Sequence, residues 1–151
     1  MALRLDRLED AEAALVKAIS LDPELKAAHS DLGTVHYRRG EYNKAALEFK
    51  EALKANPDDV VARYNLANAF RNLNKPAEAV EQYEKTLAKD PTYVDCYFNM
   101  GLAYEDMGKG EDAVAAFERF IEAAKNDPEQ KEWVDRAKEY IADIRAAGKG
   151  K

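Results

Sequence analysis

The stretch PDDVVARYNLANAFRNLNKPAEAVEQYEKTLAKDP, residues 57–91, decides the fold of this chain. It opens and closes on proline, Pro57 and Pro91, 34 positions apart. Apolar residues recur at Val60, Ala62, Leu66, Ala69, Phe70 and Leu73, a rhythm that predicts a helix over 59–73. A second run, 75–89, repeats the pattern with Ala79, Val80, Tyr83 and Leu87. Asn74 stands between them, where the backbone must turn into left-handed φ/ψ, and asparagine tolerates that conformation. Pro76 follows at a first helical position, where its missing amide costs nothing. Pro57 and Pro91 end helices because proline lacks a donor and clashes with the preceding turn. The stretch therefore reads as two antiparallel helices joined by a tight turn.

The same spacing extends outward in both directions. Pro23 precedes Pro57 by 34 residues. Alanines stand at 11, 45, 79 and 113, each followed four positions later by a bulky residue, Leu15, Phe49, Tyr83 and Phe117. Gly33, Ala67 and Gly101 form a small-residue column, and Gly40, Asn74 and Gly108 a turn column. Ile19, Leu53, Leu87 and Ile121 form an aliphatic one. Small residues let one helix approach its partner closely, and the bulky residue fills the space beside that contact. One helix pair cannot bury its apolar face alone, so stacked pairs share a continuous core.

These columns resemble the tetratricopeptide repeat, whose period is also 34 residues. Residues 26–59, 60–93 and 94–127 each look like one full repeat. The resemblance implies an all-α fold, a right-handed superhelical solenoid of antiparallel helix pairs. Two departures occur. His36 stands where the family usually has tyrosine, and Thr86 and Phe120 replace a usual alanine. Residues 1–25 hold only the second helix of an incomplete first repeat, about Leu8–Leu21, so the chain is expected to be a fragment of a longer or processed protein. Over 128–147, Trp133, Ala137, Tyr140, Ile141 and Ile144 share one face of a helix, which resembles the helix closing such arrays. Residues 148–151 read as a disordered tail.

Composition narrows the function. The chain carries 29 acidic and 23 basic side chains, a net charge of −6, which disfavours nucleic acid as a partner. A single cysteine, Cys96, permits no internal disulfide. The sequence has no run of 18 apolar residues, so no segment is expected to insert into a membrane, and the start MALRLDRLEDAE lacks a signal core. A cytoplasmic location is favoured.

Catalytic constellations are scarce, and the reading is of a protein without enzymatic activity, cofactor or metal. His29 and His36 lie two helical turns apart, too far to share a metal unaided, and read as structural. Ser30 follows His29 directly, but adjacent helical residues point apart. Cys96 sits beside Asp95, an acid that raises a thiol pKa and disfavours a thiolate. Gly108-Lys109-Gly110 lacks the spacing of a phosphate loop. Glu105/Asp106 and Glu111/Asp112 read as solvated charge.

In a tetratricopeptide array the first helix of each repeat lines an inner groove. The resemblance thus implies a peptide-binding groove with Asp31, Thr34 and Arg38, then Tyr64, Asn65, Asn68 and Arg71, then Asp95, Phe98, Asn99 and Leu102. Asn65 and Asn99 share a column, with Asp31 one repeat earlier. An asparagine amide both donates and accepts, so it can grip a peptide bond whatever the peptide's sequence. The column resembles the asparagine ladder of the repeat domain of O-linked N-acetylglucosamine transferase, although asparagine is common there across the family. Tyr64 and Phe98 share the adjacent column and offer either anchoring area or packing against neighbouring helices. The family's carboxylate clamp is not matched: its positions hold Ser30, Thr34, Asn65, Asp95 and Asn99, and only Asn65 fits.

Residues 94–127 carry three basic and eight acidic side chains, so a ligand with a basic segment would be complementary there. The expected function is an interaction scaffold for an extended peptide or a partner helix. The alternatives are an assembly module, self-associating through Leu8, Leu15 and Ile19, or a regulatory domain of a larger enzyme.

Overall fold

The computed structural model describes residues 2–149 and shows, among them, eight α-helices, one 3₁₀ turn and no strand. The chain divides into two compact units, Met1–Lys75 and Pro76–Lys151. The first holds α1 (Ala2–Leu21), α2 (Lys26–Arg38), α3 (Tyr42–Ala55) and α4 (Val60–Asn72). Each of these packs on the next in sequence, and α2 also touches α4. The second holds α5 (Pro76–Lys89), α6 (Asp95–Asp106), α7 (Gly110–Ala124), the 3₁₀ turn Pro128–Gln130 and α8 (Lys131–Lys149). Here too consecutive helices pack against each other.

The turn column does what its residues allow. Gly40, Asn74 and Gly108 have φ of 78°, 57° and 70°, and they are the described residues with positive φ. Around each, the chain closes the preceding helix in one way. The amide after the turn residue reaches back five positions: Glu41 to the His36 carbonyl at 2.9 Å, Lys75 to Phe70 at 2.9 Å, Lys109 to Tyr104 at 2.8 Å. The turn residue's own amide reaches back three, Gly40 to Tyr37 at 3.0 Å for example. This paired pattern satisfies carbonyls a helix end would otherwise leave open.

The other connections are built on a residue not singled out by its spacing. Asp22, Asn56 and Asp90 each precede a proline, and each side chain accepts a hydrogen bond from the amide two residues on. Asp127 does the same before Pro128. These turns bridge the proline, which cannot donate for itself. Asp59 then caps α4 by accepting from the Ala62 amide at 2.9 Å.

The core forms where small faces large. Ala45, Ala79 and Ala113 are fully buried, as are Phe49, Tyr83 and Phe117. Gly33 of α2 lies under the Phe49 ring of α3, and Gly101 of α6 under the Phe117 ring of α7. A Cβ at either glycine would stand 2.7 or 2.6 Å from a ring carbon, inside contact distance. Two helices approach this closely only without a side chain between them.

The C-terminal helix closes the second unit. Val134, Ala137 and Ile141 of α8 are buried in one cluster with Phe98, Phe117, Phe120 and Ala124. Val134 was absent from the expected apolar face, while Tyr140 and Ile144 pack against the cluster as expected and Trp133 is half exposed. The expected disordered tail is corrected in part. Helix α8 continues through Gly148 and Lys149, and residues 150–151 lie outside the described residues. A run of good helix formers, Arg145-Ala146-Ala147, precedes a glycine whose cost in a helix is only about 1 kcal/mol, and no proline follows to stop it. At the other end, α1 starts at Ala2, earlier than the expected Leu8.

Candidate functional site

In the first unit, α2 and α4 both pack on α3 and carry seven of the residues expected in the groove. Asp31 and Arg38 are exposed, while Thr34, Tyr64, Asn65, Asn68 and Arg71 are half-buried. The ends of the two helices are tied by a bond the sequence did not reveal. Asn72 Nδ2 donates to the Tyr37 hydroxyl and to the Asn68 carbonyl, each at 2.9 Å. Burial pushes the Tyr37 hydroxyl above its ordinary pKa, so it stays a neutral phenol that can still donate. Arg38 and Arg71 are the chain neighbours of Tyr37 and Asn72, so this junction is a polar, cationic end. Thr34 Oγ1 donates back to the Ser30 carbonyl at 3.0 Å, a bond that fixes its rotamer on the same helix.

In the second unit, α6 carries the remaining four. Asn99 is half-buried, and its Nδ2 donates to the Asp95 carbonyl at 3.1 Å. Partial desolvation raises the Asp95 carboxyl above its ordinary pKa, although much of the residue is exposed. Leu102 is half-buried against the aromatic cluster. Phe98 corrects an expectation. It is only 7% exposed and meets Phe117, Phe120 and Trp133 edge-on at ring distances of 5.5, 5.2 and 5.3 Å. It is a core residue beneath α8 and offers no open anchoring area. Rings spaced seven apart on α8, Trp133 and Tyr140, were the signal that an aromatic partner lay opposite.

Residues considered for chemistry hold structural places. His29 Nδ1 donates to the Glu48 carboxylate at 2.7 Å, and Nε2 faces the Pro23 carbonyl at 3.2 Å. Burial opposes its charge, but these two acceptors outweigh it and raise its pKa. His36, buried, donates from Nδ1 to Glu41 at 2.6 Å across the first turn. Arg39 joins Glu41 to Glu12 of α1. The buried hydroxyl of Thr86 donates to the Gln82 carbonyl at 2.9 Å. The buried Cys96 thiol is pushed up to about 12, by burial first and then by Asp95 and Asp90, so it carries no thiolate at neutral pH. Among the described residues no group of three or more histidine, cysteine, aspartate or glutamate side chains could hold a metal ion.

The helix pairs, the positive-φ turns and the small-over-large contacts all follow one period. A family model described as tetratricopeptide repeat matches residues 2–60, 30–94 and 64–128. The chain belongs to the tetratricopeptide repeat family. Solved tetratricopeptide structures align closely with it. MamA matches with a TM-score of 0.75 at 27% identity, covering 82% of this chain and 68% of that one. The chaperone SycD of Yersinia enterocolitica, in complex with a peptide of the translocator YopD, matches at 0.76 and 18% identity, covering 80% and 92%. The first tetratricopeptide domain of Spaghetti (RPAP3), bound to the HSP90 peptide SRMEEVD, matches at 0.66 and 24% identity, covering 78% and 93%. No curated protein matches the sequence. Proteins with this repeat work by holding other proteins, and the chain is a protein-interaction scaffold in that general sense.

Proposed function

We propose that this tetratricopeptide chain holds an extended peptide or a partner helix, using side chains of α2 and α4 in the first unit and, taken by itself, of α6 in the second. The observation that carries the reading is the chemistry of those helices. Asn65, Asn68 and Asn99 are half-buried amides on helix faces that otherwise hold small, aromatic and charged residues. An amide can donate to and accept from a backbone, so it recognises a main chain without demanding a sequence. That SycD and the Spaghetti domain have structures with bound peptides supports the reading.

Binding of an acidic tail of the SRMEEVD kind through the family's carboxylate clamp is disfavoured. Four of the five clamp positions hold other residue types, and Asp95 stands where a lysine would be needed. The acidic excess of residues 94–127 favours a ligand with a basic segment instead. Self-association through α1 is less supported than expected. Leu8, Leu15 and Ile19 are half-buried, and among the described side chains of α1 the large exposed apolar ones are Val16 and Leu21.

The test uses a peptide selected by display against the unaltered chain. The double change Asn65→Ala, Asn99→Ala should weaken its capture by about tenfold or more while helicity and melting stay nearly unchanged. Undiminished affinity in the double variant would refute the asparagine role.

A further inference from the structure

A cavity of about 760 Å³ opens in the second unit, at the turn between α6 and α7 and against the end of α8. Val114 of α7 with Ile144 and Ala147 of α8 supplies its apolar lining. The cavity stays open because Gly108 and Gly148 line it and have nothing within 4 Å of where a Cβ would stand. Its depth is set by Gly110, where a Cβ would meet Ile144 at 3.0 Å. Three acids, Glu105, Glu111 and Asp143, surround this apolar patch. The one cation among the lining residues, Arg145, donates to Glu118 at 2.8 Å, which offsets its charge. Helices α6 and α8 end here and α7 begins here at Gly110, so the positive end of one dipole partly offsets the negative ends of two, and the acids carry the sign of the site.

The carboxylates do not gather closely enough to hold a metal ion. Carboxylates placed around an apolar surface suit an extended ligand whose cations are separated by carbon. The volume also exceeds what one side chain fills. We infer that this cavity docks a peptide segment of a partner protein in which lysine or arginine flanks an aliphatic residue. The aliphatic side chain lies on Val114 and Ile144, and the cations meet Glu111 and Asp143. The site is separate from the asparagine face proposed above, and either can fail without the other.

The test follows backbone amide shifts of the full chain as a short acetylated peptide alternating lysine and leucine is added. Shifts at Val114, Ile144 and Ala147 that saturate are expected. A peptide with glutamate for each lysine, and one with serine for each leucine, should each bind about tenfold more weakly. The paired change Glu111→Lys, Asp143→Lys should weaken the first peptide about as much. Ala147→Trp, at an exposed position of α8, should block it by filling the cavity even if the charge variant folds poorly. The change Asn65→Ala, Asn99→Ala should leave this binding unaltered. Shifts confined to α2, α4 and α6, equal binding of the glutamate peptide, or no shift near millimolar probe would each overturn the assignment. So would shifts of the same residues on concentrating the chain alone, which would place a second copy in the cavity.

Discussion

At Gly33 and Gly101 the backbone of one helix touches an aromatic face of the next, and at Gly108 it takes a left-handed φ of 70° that few residues other than glycine and asparagine adopt readily. The two demands differ, and so do the penalties. Gly101→Ala drives a methyl into the buried Phe117 ring, and urea unfolding should show a loss of about 1–3 kcal/mol. Gly108→Ala meets open space and should cost about 1 kcal/mol, from backbone conformation alone. Both columns were legible in the sequence because each restricts its residue, one to glycine or alanine and the other to glycine or asparagine, for a reason that recurs every repeat. The histidine bonds were not, because they depend on which side chains of two helices come opposite each other. His29 makes a pH prediction. Its pKa lies above the ordinary 6.5, so the folded state holds its proton more tightly than the unfolded state does. That contribution is fully present below about 6.5 and is lost as pH rises through the raised folded value. Urea midpoints measured across this range should fall with rising pH at this site, and His29→Gln should flatten that part of the profile.

Among elements, α8 decides most. Its buried side chains lie on α7, and its rings close over Phe98 of α6. Ile141→Ala should cost about 2–4 kcal/mol by leaving a cavity beside the phenylalanines. Trp133, the chain's single tryptophan, sits against Phe98, and its fluorescence should report the loss. An unshifted fluorescence midpoint in that variant would show that α8 does not close the aromatic cluster. The helix itself and most of its apolar face were legible from three- and four-residue spacing. The inward turn of Phe98 was not. Its column holds Tyr64 one repeat earlier, and the column alone does not distinguish a residue that faces a ligand from one that faces the closing helix; the signal lay on α8, in the spacing of Trp133 and Tyr140. The end of α8 was misplaced for a simpler reason: glycine weakens a helix without terminating it.

Across the whole chain, stability should be distributed, since each helix in these units packs mainly on its sequence neighbours. Ala45→Leu overpacks a fully buried position in the first unit, and Trp133 reports on the second. The circular-dichroism midpoint in urea should fall more than the Trp133 midpoint. Coincident shifts would mean the two units unfold as one. Charge is uneven on the same scale, with the excess of acid concentrated in 94–127. One buried atom makes such opening countable in the unaltered protein. Cys96 is the sole thiol, enclosed and fully protonated at neutral pH. An alkylating reagent can modify it only in molecules whose α6 has come away. The labelling rate at fixed pH is therefore a clock for transient breathing of that helix, read without installing any probe.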